Sequence, residues 1–486
     1  MKIKMVRPRP RGRSLAGDTL IGADTSRSLP ARTWAHQFFG GILLVALSAI
    51  IAINHAAGQS GKKEATFNRD VAPIFYKNCI ACHRPDDIAP MSLLTYKDAR
   101  AWAKSIREKV VSREMPPWRA DPHYGEFAND ARLSPQEIQT ILAWVEQGAK
   151  EGSSKDLPPA PQLTDSWKMG KPDVVISMLE DYTIAPTGPD EYVTFVVPTG
   201  FTEDKWVRGI EMRPGNRRVV HHGHVFVAAP DPANPGKLKL PIRLRTGNLG
   251  HAGANWPVID DGCSSPDGGR QPGQAPSISD FTLISYLPGR QPDVWPAGYA
   301  KRIPAGSSVI FQLHYSRTTG NPEKDRTSVG LIFAKEPPEH EVKRIEVRNF
   351  LFKIPPGAEN HRVTACYTFD RDIRALNYTA HMHFRGKASR FEAIYPDGRR
   401  ETLLDIPDYS FNWQMSYKLK RPQPLPKGTR IVITSHFDNS SRNKFNPDPT
   451  KTIRYGEPSD EEMADGWIEY IEDKQPGVEV GGKSKQ

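Results

Sequence analysis

Apolar residues change their spacing several times along the chain. Phe38 to Ile53 reads FFGGILLVALSAIIAI, sixteen residues without a charge. A basic stretch precedes this run and the polar HAAGQSGKKE follows it. That is the layout of a signal peptide or signal anchor whose positive side stays in the cytoplasm. Further on, Trp102, Ile106 and Val110 recur every fourth residue, a helical stripe. Ser134-Pro135-Gln136-Glu137 is a capping box with proline at the first helical position. Ile138, Ile141, Leu142 and Val145 give the helix it opens an apolar face, and Gly148 stands near its end. Residues 152–161 are polar and proline-rich, the composition of a connector. Beyond them, short apolar runs such as Tyr192 to Val197, Val309 to Leu313 and Ile431 to Thr434 are separated by Pro/Gly turns. This pattern predicts strands packed as sandwiches.

The expected order is therefore a basic N-terminus with an export segment (1–60), a small all-α domain (63–152) and a linker (153–165). Two β-sandwich, jelly-roll-like halves (166–336 and 337–475) and a polar tail (476–486) follow. No period of 20 to 50 residues repeats, which argues against a propeller or solenoid.

Composition narrows the function classes. Hydrophobic residues make up 38% of the chain and mean hydropathy is −0.56, which excludes a polytopic membrane protein. Ten tryptophans and 9% aromatics exclude wholesale disorder. The net charge of +10 suggests nucleic acid until it is located. Residues 1–37 hold eight basic and two acidic side chains, a net +6, which leaves only +4 on the other 449 residues. No nucleic-acid partner is expected from so mildly basic a body.

The sharpest motif is Cys79-Ile80-Ala81-Cys82-His83. Two thiols at this spacing can form thioethers to the two haem vinyl groups, and His83 is then placed to ligate the iron. A zinc site would need a second ligand pair nearby, yet the next cysteine is Cys263. The opposite iron face needs a thioether or imidazole. Met115, held in the extended Arg113-Glu114-Met115-Pro116-Pro117-Trp118 loop, is favoured, with Met91 and His123 as alternatives. With its terminal capped helix, this segment resembles the small class I cytochromes c over about ninety residues.

Six of the 14 histidines fall in three strand-like motifs. Val219 to Val227 contains His221, His222 and His224, Phe311 to Tyr315 contains His314, and Thr379 to Gly386 contains His381 and His383. Residues i and i+2 of a strand face the same side, so His381 and His383 can chelate one ion. Imidazole suits copper, zinc and nickel, and an added thioether selects copper. Adjacent residues on a regular strand point apart, so His221 and His222 share an ion only across a twist or bulge. Plain alternation pairs His222 with His224 instead, and His224 stays in reserve.

From about residue 190 to 471 the chain resembles the copper type II, ascorbate-dependent monooxygenases, the peptidylglycine- and dopamine-hydroxylating enzymes. The resemblance implies two β-sandwich halves, each with one copper. It implies the first copper at His221, His222 and His314. The second falls at His381, His383 and Met463, with Met463 supplied by Ser459-Asp460-Glu461-Glu462-Met463. The Pro-Ala-Gly turns at 296–298 and 304–306 and Phe437-Asp438-Asn439-Ser440 add to the match. It further implies reaction with O2 and a C–H bond of a small-molecule substrate at the second centre, which carries the catalytic ligands, and electron supply from the first. The chain departs from the family in having at most one disulfide. Thr379 stands where the peptide-amidating branch has a substrate-binding Arg, and Trp467 stands where that branch has Tyr. Cys263 and Cys366 could pair in an oxidising compartment, although they fall in different expected halves.

These readings together describe an exported, periplasmic haem c and copper oxidoreductase that touches the membrane only through residues 38–53, cleaved or retained. It is expected to act as an O2-dependent dicopper monooxygenase. A periplasmic donor, besides or instead of ascorbate, would send electrons through the haem. The alternative is a non-oxygenating electron-transfer or copper-binding protein.

Overall fold

The computed structural model describes residues 64–473 except 86–88, 160, 162–166, 189, 235, 239–257, 265–281, 288–289, 318–319 and 457. The export segment at 38–53 and the histidine at 251 lie outside the described residues. Among the described residues no helix is long and apolar enough to cross a membrane.

The N-terminal part is small and helical. A π turn, Phe67–Val71, runs into the helix Ala72–Asn78, and the helices Tyr96–Ala101, Ala103–Val111 and Pro135–Glu146 follow. The capping box closes as its sequence dictates. Ser134 Oγ accepts the Glu137 amide at 3.2 Å, and Glu137 Oε2 accepts the Ser134 amide at 2.8 Å. The buried face of this last helix centres on Ile141 and Trp144, the latter absent from the apolar set read above. Trp144 closes an aromatic cluster with Phe67 and Phe75 at ring-centroid distances of 6.0 and 6.4 Å. Its indole donates to the Lys150 carbonyl at 2.9 Å, which satisfies the polar edge that burial would otherwise strand. Ile106 and Val110 of the predicted stripe are buried in the same core.

A large β-rich region follows, with several open sheets. The first is six-stranded and runs in the order Val174–Ser177, Ser328–Phe333, Lys205–Arg213, Tyr299–Ile303, His340–Glu341, with Asp293–Val294 also on Lys205–Arg213. The second runs Glu191–Pro198, Ser308–Tyr315, Val220–Ala228, Thr282–Tyr286. Val207, Ile210 and Leu331 of the first sheet share one core with Val225, Phe311 and Leu313 of the second. Two further four-stranded sheets repeat the theme. One runs Lys343–Asn349, Ala464–Glu472, Ile373–His381, Ser416–Leu425, and the other His361–Thr368, Arg430–Phe437, Gly386–Ile394, Arg400–Ile406. Their common core includes Ile345, Tyr378, Phe391, Ile431 and Ile468.

The parts are tied to one another. Trp118, Ala120 and Phe127, from the loop before the capped helix, are buried in the core of the last two sheets. Trp118 packs edge-on against Tyr417 with centroids 5.0 Å apart. Buried Lys301 donates to Glu469 Oε1 at 2.7 Å across the two β halves. Cys263 and Cys366 form a disulfide. Their assignment to different halves hid it: Asp261 bridges to Thr364, and the Ile259 amide donates to the Leu351 carbonyl at 2.9 Å. A segment numbered with the first half therefore lies against the second.

Candidate metal and haem centres

The strand Val220–Ala228 pairs with Ser308–Tyr315 so that His222 stands opposite His314, while Val220 stands opposite Tyr315. The register shift between Val220 and His222 leaves His221 as an extra residue. A bulge turns such a residue out of the alternation, and here it brings the His221 ring to the face of its neighbours. His221 Nδ1 lies 3.2 Å from His222 Nδ1, which lies 3.1 Å from His314 Nδ1. One nitrogen from each of the three rings falls within 4.8 Å of the others. His224 is outside this group, and its Nδ1 lies 2.8 Å from Ser285 Oγ.

The surroundings keep His221 and His222 neutral and orient His314. Burial, reinforced by His314, pushes His221 down to about 4. Burial holds His222 well below the usual range, with the His314 and His221 rings adding to it. His314 Nε2 lies 3.0 Å from Asp190 Oδ2, so the carboxylate can accept Nε2–H and leave Nδ1 to face the cluster. Tyr192 stacks on the His314 ring at 4.3 Å. Three convergent imidazole nitrogens with a carboxylate behind one of them fit a copper or zinc ion. Burial should keep His221 and His222 unprotonated down to about pH 5 in the metal-free protein, so neither ring should take up a proton between pH 8 and 5. NMR titration of the imidazole signals checks it; protonation of His221 near pH 6.5 would contradict the depressed value.

The second group is built from a strand end and a distant loop. His381 ends the strand Ile373–His381 and His383 follows two residues on. Gln414 Oε1 lies 2.5 Å from His381 Nδ1, and the Glu461 carbonyl lies 3.1 Å from His383 Nδ1. Each ring is thereby oriented with Nε2 as its ligating candidate. Met382, between them, is locked by Tyr409, whose hydroxyl donates to its carbonyl at 2.7 Å and accepts from its amide at 3.0 Å. Met463 is buried and shares one cavity with His381 and His383. His222, His224 and His314 line that same cavity. Phe411 stands between the groups, 5.7 Å from His221 and 5.9 Å from His383. Trp467 stacks on His381 at 5.2 Å.

Sequence reading missed the residues that hold these ligands. Glu462 is fully buried; its Oε2 accepts the amides of His383 at 2.7 Å and Met463 at 3.3 Å, and its Oε1 accepts that of Arg385 at 2.6 Å. Burial outweighs these donors and pushes its carboxyl up to about 8. Asp190 and Gln414 are each remote in sequence from the histidine they orient, so no local pattern marks them. Glu462 lies within the Ser459–Met463 stretch quoted for its methionine, where the sequence assigns it no role.

At the haem motif, Cys79 and Cys82 are not disulfide-bonded. Burial pushes the Cys79 thiol up to about 12. His83 Nδ1 lies 3.2 Å from the Met91 carbonyl, which fixes the ring and assigns Nε2 to an iron. That contact places the Met91 backbone on the His83 side. His123 is exposed with its Nδ1 2.6 Å from Asp121 Oδ1, and Met115 is half-buried in its loop. The cytochrome c family model matches residues 69–149. This segment is a cytochrome c domain. Its two thiols and oriented histidine fit covalent haem c, and the domain implies haem-based electron transfer. No curated protein matches the chain. Two crystal forms of PNGF-II align at TM-scores of 0.27 and 0.26 and 10% identity, covering 62% and 64% of this chain. The chain spans 65% and 66% of their lengths. The Sputnik virophage structure by cryo-EM aligns at 0.16 with 8% identity, covering 65% of this chain and 89% of that one. These scores carry no statement about fold or function. The CxxCH turn of the cytochrome c domain faces the first β half: Lys168 Nζ donates to the Ala81 carbonyl at 3.0 Å, and Cys82 opens onto a cavity lined by Glu211, Arg217, Ser285 and Tyr286.

Proposed function

We propose that this chain is an exported haem c and copper oxidoreductase, an O2-dependent dicopper monooxygenase that hydroxylates a C–H bond. One observation carries the reading: His222, His314, His381, His383 and Met463, brought from the two β halves, line one small cavity, and His221 joins His222 and His314 beside it. His221, His222 and His314 would hold one copper, and His381, His383 and Met463 the other. Copper at the thioether-bearing site would supply one-electron chemistry towards O2. The protein's own contribution is orientation: Asp190, Gln414 and the Glu461 carbonyl set the rings, and Glu462 sets the loop that carries Met463. Two sheets sharing each core fit the two sandwich halves of the copper monooxygenases. The Cys263–Cys366 bridge and the haem motif both suit an oxidising, periplasmic location. A periplasmic reductant would feed the cytochrome c domain, which faces the half carrying the histidine triad.

A second reading draws on the cavity itself, whose volume is about 20 Å³, room for roughly one water molecule. Two ligand groups facing one shared cavity also suit electron carriage between metal centres without a bound substrate. Oxygen uptake by the reduced, copper-loaded protein separates the two. The oxygenase reading predicts hydroxylated product equal to O2 consumed with one member of a C–H substrate panel. Peroxide in place of product, with every member, would leave electron carriage.

A further inference from the structure

We propose that Ser285 and His224 are positioning residues that couple the cytochrome c domain electronically to the histidine triad, an inference that rests on the oxidoreductase reading above. Two cavities are lined by residues of neighbouring strands. On one side, Cys82, the second thioether position, opens onto the cavity that Ser285 lines. The Lys168–Ala81 hydrogen bond holds the CxxCH turn against this face. On the other side, His224 lines the cavity shared by His222, His314, His381, His383 and Met463. Thr282–Tyr286 pairs with Val220–Ala228, and in that pairing Ser285 stands opposite His224. Ser285 Oγ and His224 Nδ1 are 2.8 Å apart, and both residues are buried. The His224 ring is 6.1 Å from the His222 ring and 6.1 Å from the Trp467 ring.

A buried hydrogen bond in a low-dielectric strand pair is a fixed, short connection between polarisable groups. It requires no reorganisation of water when charge moves. His224 is the one imidazole of its motif outside the convergent triad, and its Nδ1 is turned to Ser285. The redox step is simple: one electron leaves ferrous haem, which becomes ferric, and one cupric ion at the triad becomes cuprous. No proton or group is transferred. Ser285 and His224 hold the two sides in register for that step.

The test uses full-length protein with haem reduced by one equivalent under argon, then followed by stopped-flow haem absorbance in the cupric form. Ser285→Ala and His224→Phe should each slow haem reoxidation by about tenfold, a barrier change of ~1.4 kcal/mol. Ser285→Thr, which keeps the hydroxyl, should restore the rate. Haem reduction potential and copper content should match the parent protein in all three. An unchanged rate in Ser285→Ala overturns the coupling, and so does copper loss in His224→Phe, which would make His224 a ligand. Failure of the parent protein itself to reoxidise its haem would instead overturn the functional reading beneath it.

Discussion

Glu462→Ala is expected to abolish copper binding at His381, His383 and Met463 while the histidine triad stays loaded. The carboxylate is the common anchor for the amides of His383, Arg385 and Met463. Alanine strands three buried donors at once. Each unsatisfied buried donor costs about 1–3 kcal/mol, so a loss of roughly 3–6 kcal/mol is expected after local relaxation. Arg385 worsens the loss, because its Nε donates to Asn439 at 2.8 Å and its guanidinium reaches the Asp460 carbonyl at 2.8 Å. The Met463 loop and the His383 backbone then separate, and the thioether no longer faces the imidazoles. Glu462 also sets a pH dependence in the metal-free protein. Its folded value of about 8 lies above the ordinary glutamate value of 4.5. Between those two values the folded state keeps a proton that the unfolded state has lost. Stability from this residue is therefore full below pH 4.5 and declines as pH rises towards 8. Urea titrations at pH 5 and pH 8 measure both effects. An Ala variant with parental stability and full copper content would contradict the anchoring role.

Removing the disulfide should produce the second large effect. Cys263 and Cys366 are separated by 103 residues. Closing so long a loop is worth up to about 4.7 kcal/mol in the chain-entropy account, and measured losses for native bridges run from about 2 to 5 kcal/mol. The bridge fixes the segment at 258–264 onto the second half, where Asp261 accepts from Thr364 and Asn349 donates to the Ile259 carbonyl at 2.8 Å. The Cys263→Ala, Cys366→Ala double variant should lower the urea midpoint accordingly. The histidine cavity, lined by neither cysteine nor any residue of 258–264, should keep its metal content. An unchanged midpoint would mean that the hydrogen bonds alone hold the segment.

Legibility in the sequence followed the range of the interactions. The capped helix was readable because Ser134 and Glu137 are three residues apart and satisfy one another's amides. The haem motif was readable because covalent spacing fixes its chemistry. The three histidine motifs stood out locally, but strand geometry made a twist or bulge only the condition for His221 to join His222, and plain alternation favoured His224 in its place. What stayed hidden depended on contacts distant in sequence. Trp118 and Phe127 are numbered with the cytochrome c domain yet complete a β core some 290 residues later. Asp190 approaches His314 across 124 positions. The disulfide was discounted because linear division into halves cannot represent a segment that crosses over. The closeness of the two metal-ligand groups, sharing Phe411 and one cavity, likewise follows from how the halves meet and not from any motif.

Copper and haem stoichiometry of the purified full-length protein tests the central claim most directly. Elemental analysis with the alkaline pyridine haem spectrum should give two copper and one haem c per chain. In His381→Ala copper should drop to one while haem is unchanged. One copper or none in the parent protein would contradict the paired centres and leave haem-based electron transfer standing alone.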